Sequence, residues 1–476
     1  MSWNTTVVAT LVSYQGILIA IGLWARSRTA DTSDYYLGGR QLGPLVAAIS
    51  ASASSSSAWS LLGVSGAAFA WGLSAVWLIP ATLLGFCINW FWIAPRLHRA
   101  SGKNRAITLT EFLADGMPPA QRLLFMRIGA AIVLFSFSFY IAAQFQAAGK
   151  TFAGTFDISQ NAAILIGAGI VLFYVFIGGF WAASITDTFQ GILMALTALL
   201  LPIAAIYAIG GPAEFPGRLM SVPDPAWVSW FNQPGALMSA GLVVGLLGIG
   251  LGYPGQPHVV NRFMAIKNDA DIPIARAISV AWAVIIYVGM VLLGWCGRLL
   301  AVELGDQEQI LFAAAKALLP AMLAGIVIAA ILSAIMSTAD SQLLVAASSV
   351  SHDFRGGQNQ TTKYSVTRAR WVVIALGGIA VLLAVYSSES IFSRVLFAWH
   401  AIGSAFGPLL LVLLWRGSVK PGYRLFSMVL GFSLTVVLHW LPDTPGDIAE
   451  RYIPLLAALL VAFLGSLPDK STQPGS

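Results

Sequence analysis

Apolar runs of about 20 residues recur along almost the whole of this chain, and each is long enough to cross about 30 Å of hydrocarbon as a helix. Thirteen such spans can be placed, at 5–25, 43–70, 73–95, 123–148, 160–180, 184–209, 233–254, 272–297, 318–349, 369–386, 391–415, 422–441 and 452–467. Charged residues make up 10% of the 476 and hydrophobic residues 58%, where soluble domains carry about 25% charge. Mean hydropathy is +0.79. No polar stretch is long enough to hold a soluble domain. A membrane β-barrel would alternate in segments of about ten residues instead. The expected fold is therefore all-α and polytopic, one transmembrane domain over 1–476 with about thirteen helices. The first span has no basic residue before it and no small-residue cleavage site, so it reads as a retained helix.

The +6 net charge is distributed by loop. Arg26, Arg28 and Arg40 follow the first span, and Arg96, Arg99, Lys103, Arg105, Arg122 and Arg127 the third. Arg262, Lys267 and Arg276 follow the seventh, Arg355, Lys363, Arg368 and Arg370 the ninth, Arg416, Lys420 and Arg424 the eleventh, and Lys470 the last. The opposite loops carry Glu214, Asp224, Glu303, Asp306, Asp443 and Glu450. Basic loops face the cytoplasm. The expectation is an inner (plasma) membrane protein with its N-terminus outside and its C-terminus inside. The charge is thus accounted for without nucleic acid. Cys87 and Cys296 both lie in apolar segments and indicate neither a disulfide framework nor a zinc site. Short helices outside the membrane are expected near Leu109–Asp115 and Gln309–Leu318, and 468–476 reads as a disordered tail.

Few polar residues lie within the spans, so each is a functional candidate. The second span contains ISASASSSSAW, with Ser50, Ser52, Ser54, Ser55, Ser56 and Ser57 in eight residues. Serines permit close helix packing and bond across helices. They also loosen backbone hydrogen bonding, and a helix weakened at mid-membrane frees carbonyls that can face an ion. By itself the stretch fits a packing seam better than an ion site. The seventh span ends GIGLGYPGQPH, where Gly248, Gly250, Gly252, Gly255, Pro254 and Pro257 make a continuous helix improbable. A break there would turn Tyr253 and Gln256 toward a cavity. Asp187 near the start of the sixth span is either a helix N-terminal acid or a functional one. In the ninth span Ser337 and Thr338 precede Asp340, with Ala334 one turn earlier. Their oxygens suit a hard cation, although back-bonding to the preceding turn is the ordinary fate of such hydroxyls. Tyr140 and Gln144 share a helix face.

Four stretches then carry a resemblance: YYLGGRQLGPLVAAISA (35–51), YVFIGGFWAASITDTFQG (174–191), GLGYPGQPHVVNRFMA (250–265) and SAIMSTADSQLLVAASS (333–349). In this order, with thirteen spans, the chain resembles the solute:sodium symporter family, and within it the proline-transporting branch. The resemblance implies a LeuT-like fold of two five-helix inverted repeats, 43–209 and 233–415, followed by two further spans over 422–467. It implies a sodium site at the backbone of Ala53 and Ser56 with Ala334, Ser337 and Thr338, and Asp187 on the ion route. It implies a solute site at Ser57, Trp59, Tyr140 and Tyr253. Proline symporters carry an aspartate where this chain has Ser55 and a tryptophan where it has Ile249, so both positions join the solute-site candidates, with Gln144.

The expected activity is sodium-coupled import of a small polar solute, an amino acid such as proline or a related carboxylate, by alternating access in the lipid bilayer. Proton coupling through Asp187 or Asp340 is one alternative, and a solute-binding membrane sensor with little transport is another. No nucleophile–base constellation or metal-ligand cluster points to an enzyme.

Overall fold

A computed structural model of the chain describes residues 2–26, 37–177, 180–231, 235–300, 304–356, 362–386, 390–442 and 444–467. Arg28, Glu303, Asp443, Lys470, Tyr35, Tyr36 and the 468–476 tail lie outside the described residues.

Among the described residues nineteen α-helices follow one another. They are α1 (Trp3–Arg26), α2 (Pro44–Ser55), α3 (Val64–Trp71), α4 (Leu78–Cys87), α5 (Ala94–Asn104), α6 (Leu109–Leu113), α7 (Pro119–Phe156), α8 (Gln160–Ile177), α9 (Phe180–Ala208) and α10 (Phe215–Met220). Then come α11 (Ala236–Leu251), α12 (Pro257–Met264), α13 (Ile272–Leu299), α14 (Ile310–Leu318), α15 (Ala321–Ser351), α16 (Thr362–Tyr386), α17 (Ile391–Arg416), α18 (Pro421–His439) and α19 (Ile448–Leu464). Two-residue strands β1 (Ser418–Val419) and β2 (Ser466–Leu467) pair antiparallel after α17 and α19.

All thirteen expected spans have helical counterparts. Ten helical stretches among the described residues are long and apolar enough to cross a membrane, one of them running through the second half of the second span and all of the third. The fifth and thirteenth spans correspond to the shorter α8 and α19. The expected outer helices are present as α6 and α14. Leu165, Phe173, Leu200, Leu382 and Leu460 are more than half exposed, as a lipid-facing surface requires.

The centre is α2 with its continuation, packed against α9, α12, α13 and α15. α17 lies against the segment between α11 and α12, and also against α7. Small residues make these approaches possible. A Cβ on Gly255 would sit 2.6 Å from the Gly407 nitrogen and 2.7 Å from the Gly403 oxygen, so two backbones touch there without side chains between them.

Two clasps close the ends. On the acidic side, Lys150 lies 2.6 Å from Asp306 and 2.5 Å from Glu308, whose carboxylate accepts the Ile391 and Phe392 N–H groups at the start of α17. A carboxylate on a helix N-terminus is stabilised by the unpaired N–H groups there. On the basic side, Glu111 of α6 meets Arg122 and His352, both at 3.0 Å. Burial pushes the Glu111 carboxyl up, but His352, the Ile107 N–H and Arg122 outweigh it and hold it below the usual carboxylate range.

Replacing Gly255 by Ala forces backbone against backbone and is expected to destabilise the protein by about 1–3 kcal/mol. Thermal unfolding of the purified protein in detergent measures this, and Gly102→Ala, on an open surface of α5, should not lower the midpoint, since Ala favours a helix over Gly.

Candidate functional site

Helix α2 stops at Ser55 because Ser56 leaves the helical region, at φ −109° and ψ 81°. A π-helical turn, Trp59–Gly63, then leads into α3. In a continuous helix the Ser54 carbonyl would accept the Ala58 N–H. Here Ala58 N–H donates instead to Gln144 Oε1 at 3.0 Å. The released Ser54 carbonyl accepts from Thr338 Oγ1 at 3.1 Å, and the Ala53 carbonyl from Ser337 Oγ at 3.2 Å. Ser337 also reaches the Ala334 carbonyl at 3.4 Å. Oxygen atoms of Ala53, Ser54, Ala334, Ser337 and Thr338 therefore gather in one buried place between α2 and α15. Ser54 belongs to the serine run marked in the sequence but was not assigned there to the sodium site. The Ser56 hydroxyl turns the other way, to Tyr287 at 3.5 Å.

Ser57 Oγ accepts from the Trp59 N–H at 3.2 Å and the Tyr140 hydroxyl at 3.4 Å. Beside it lies a small cavity of about 10 Å³, lined by Ser55, Trp59, Tyr140, Ile249 and Tyr253 together with Val395, Leu396 and Trp399 of α17, with room for about one water molecule. Five of the seven solute-site candidates thus share one cavity. Gln144 does not line it: Nε2 donates to the Tyr140 carbonyl at 3.4 Å and Oε1 holds Ala58, so its amide fastens the break. Ser57 also lies outside the lining. The expected break in the seventh span is present as a 3₁₀ turn, Tyr253–Gly255, between α11 and α12. Gln256 does not face the cavity, because Nε2 donates to the carbonyls of Gly252 (3.0 Å) and Trp399 (2.8 Å). Trp399 was missed in the sequence; an indole beside His400 in the middle of the eleventh span was the available signal.

Asp187 is no exposed helix-end acid. It is fully buried, and Oδ2 accepts from Ser50 (2.7 Å), Ser54 (3.2 Å) and Arg262 (2.9 Å). Arg262 corrects the loop count: it is 1% exposed on α12 and belongs to the core, not to a basic loop. Its guanidinium also donates to Ser50 (2.8 Å), Ser341 and the His258 carbonyl. The physical reason is that α12 resumes after the break and tucks beneath α2, a fold-back that hydropathy cannot register. Arg40 is likewise partly buried, donating to the carbonyls of Ser101, Ala106 and Met264. Asp340 lies 3.0 Å from Ser341 through Oδ1, and Oδ2 has no hydrogen-bond partner among the described residues. Ser52, on another face of α2, meets Ser279 at 2.6 Å. Within the serine run, Ser50 and Ser52 bond across helices as a packing seam does, while Ser54 supplies a freed carbonyl.

Removing one partner of a buried charge pair strands the other and costs about 3–5 kcal/mol. Arg262→Gln is expected to destabilise by that amount, and adding Asp187→Asn should recover at least half. Unfolding midpoints of the two single variants and the double variant in detergent test this, and additive losses would show that the two charges do not act as a pair.

Comparisons with known proteins agree with this architecture. The sodium:solute symporter family model matches residues 35–431. The high-affinity proline transporter PutP of Bacillus subtilis strain 168 is 35% identical over 96% of this chain and 97% of its own length. The osmoregulated proline transporter OpuE of the same organism is 33% identical over 98% and 96%, and the sodium/proline symporter of Staphylococcus aureus strain JH9 is 34% identical over 92% and 86%. A solved Na⁺-coupled sialic acid symporter in its substrate-bound outward-open state superposes with a TM-score of 0.80 at 17% identity, covering 97% of this chain and 98% of that one. Mhp1, a nucleobase-cation-symport-1 family transporter, superposes with a TM-score of 0.57 at 14% identity, covering 91% and 95%. The fold is thus that of the LeuT-like transporters, the chain is a multi-pass membrane transporter and not an enzyme, and it belongs to the sodium:solute symporter family.

Proposed function

We propose that the chain imports a small polar solute, an amino acid such as proline or a related carboxylate, together with sodium. The observation that carries this reading is the pair of hydroxyls at Ser337 and Thr338, set 3.2 and 3.1 Å from carbonyls of Ala53 and Ser54 at the break in α2. Sodium is the transported co-substrate. It would take these oxygens, with the carbonyls of Ser56 and Ala334 nearby in sequence, in place of its water. The solute would be held between Trp59, Tyr140, Tyr253 and Trp399, whose rings supply apolar walls and whose polar tips supply orientation. Ser55 and Ile249 complete that lining. The names of the relatives support proline as the first solute to try.

In this reading 43–209 and 233–415 are the inverted repeats, 422–467 adds two spans, the basic loops are cytoplasmic and the N-terminus is outside. The supporting fact is that the first membrane segment of each repeat is interrupted, at Ser56 and at Tyr253–Gly255. The cavity is small, so a solute enters only when the surrounding helices move apart. Alternating access then amounts to opening one end at a time: the Lys150–Glu308 clasp on the outside, the Asp187–Arg262 pair on the inside. An inward sodium ion gains about 2.3 kcal/mol per 100 mV, and a tenfold gradient about 1.4 kcal/mol more. Together, about 3.7 kcal/mol supports roughly 500-fold accumulation at one-to-one coupling.

The free Oδ2 of Asp340 favours a second reading, in which a proton is carried instead. Uptake of radiolabelled proline into proteoliposomes separates the two. A sodium gradient should drive accumulation and a pH gradient alone should not; the reverse result selects Asp340. The double variant Ser337→Ala, Thr338→Ala is expected to raise the sodium concentration for half-maximal uptake at least tenfold while insertion stays normal. Unchanged sodium activation would remove the ion assignment, and a competition panel of amino acids, carboxylates and sugars would name another solute if proline fails.

Orientation is checked with single cysteines in a chain lacking Cys87 and Cys296. Asp224→Cys should react with an impermeant thiol reagent in whole cells, and Lys267→Cys only after permeabilisation. The opposite pattern would reverse the membrane orientation.

A further inference from the structure

A groove of about 960 Å³ opens on the basic side of the bundle, between α5, the beginning of α13 and the end of α17. It shares no residue with the solute cavity. Arg96, Arg99, Lys103, Arg276 and Arg424 line it, against the single carboxylate of Asp115. Arg424 is buried and already donates to the carbonyls of Leu113 (2.9 Å), Asp115 (2.6 Å) and Val419 (2.8 Å), so it builds the wall. The Asp115 carboxylate accepts from the Asn104 amide at 3.1 Å. The other four cations form no ion pair among the described residues. The bonds of the three arginines go to backbone carbonyls: Arg96 to Trp92, Arg99 to Pro95 and Arg276 to Trp90. Gathered like charges repel one another, and an anion among them relieves that repulsion.

The floor of the same groove is apolar. Phe91 is 54% exposed, and Leu413 and Leu414 lie beside it, half-buried. The Arg276 guanidinium sits over the Phe91 ring at 4.3 Å and that of Arg96 over Trp92 at 4.7 Å. Aromatic rings that carry cations beside aliphatic side chains mark the boundary between hydrocarbon and water. A ligand that satisfies both surfaces has an anionic head and an apolar body.

We propose that this groove binds the headgroup of an anionic phospholipid drawn from the leaflet on the basic side. The phosphate lies among Arg99, Lys103 and Arg276, and the acyl chains run along Phe91 and Leu413. Basic pockets between helices at this depth recognise such headgroups. Because α5 continues the membrane segment of α4, which packs on α11, the lipid would brace the half of the bundle that carries the second break. The proposal depends on the membrane boundary and not on the solute or the coupling ion.

The test uses the full-length protein, purified and delipidated in a neutral detergent. Dioleoyl phosphatidylglycerol, dioleoyl phosphatidylcholine and inorganic phosphate are titrated separately, with lipid retention read by native mass spectrometry and the unfolding midpoint read in parallel. Phosphatidylglycerol is expected to be retained and to raise the midpoint, and phosphatidylcholine to do neither. At about one surface charge's worth each, Arg99→Gln with Lys103→Gln should weaken phosphatidylglycerol about thirtyfold, and Lys103→Gln alone about fivefold. The single variant carries the test if the double variant does not fold. Equal retention of the two lipids, or unchanged affinity in the variants, overturns the proposal. So does an equal midpoint rise with inorganic phosphate, which would make the ligand a free anion. Loss of sodium-driven uptake with lipid binding intact would bear on the transport reading alone.

Discussion

An interrupted helix in a medium without water is the constraint on which this structure depends. Each backbone N–H or carbonyl left unpaired in hydrocarbon costs several kcal/mol. The break after Ser55 interrupts the helical pairing at mid-bundle, and side chains from other helices answer several of the groups there. Gln144 of α7 takes the Ala58 N–H, Thr338 of α15 takes the Ser54 carbonyl, and Ser337 takes that of Ala53. The break therefore fixes α7 and α15 relative to α2. It also concentrates carbonyl and hydroxyl oxygens of Ala53, Ser54, Ala334, Ser337 and Thr338 in one place, the site proposed for sodium.

The same serine-rich helix carries the charge that must be held in the interior. Ser50 and Ser54 donate to Asp187, and Arg262 closes the set from α12. A lone carboxylate or guanidinium there would be untenable; paired and hydrogen-bonded, each is tolerated. Because Ser54 contributes its hydroxyl to Asp187 and its carbonyl to Thr338, the cluster on the basic side and the oxygen cluster at the break share one residue. Movement of α12 away from α2 would disturb both. That connection is a physical basis for linking the proposed ion site to the opening of one end.

Much of the architecture was legible in the chain. Hydropathy marks every span, and the Gly-Pro run at 248–257 marks the second break, because backbone propensity is a local property. Trp59, Tyr140 and Tyr253, which the family resemblance grouped, share one cavity with Ser55 and Ile249, while Ser57, grouped with them, lies outside its lining. Gln144 was read as a solute ligand because a buried amide needs partners. It has them, but they are the protein's own backbone, and only the distance between α7 and the break could say so. Arg262 was counted with the loops because it follows a span in sequence, although in space it lies beneath one.

By itself, then, the sequence determined the class of solvent, the order of the apolar spans, the loops richer in positive charge, and most of the residues polar enough to matter. All of these follow from composition and local periodicity. Only the tertiary structure decided which polar group answers which. A serine, glutamine or arginine in a membrane bundle must find a partner, but the partner can be a ligand, another helix or a broken backbone. The sequence states the need, and the packing of helices far apart in the chain supplies the answer: Thr338 lies 284 residues from Ser54, and Arg262 lies 75 from Asp187.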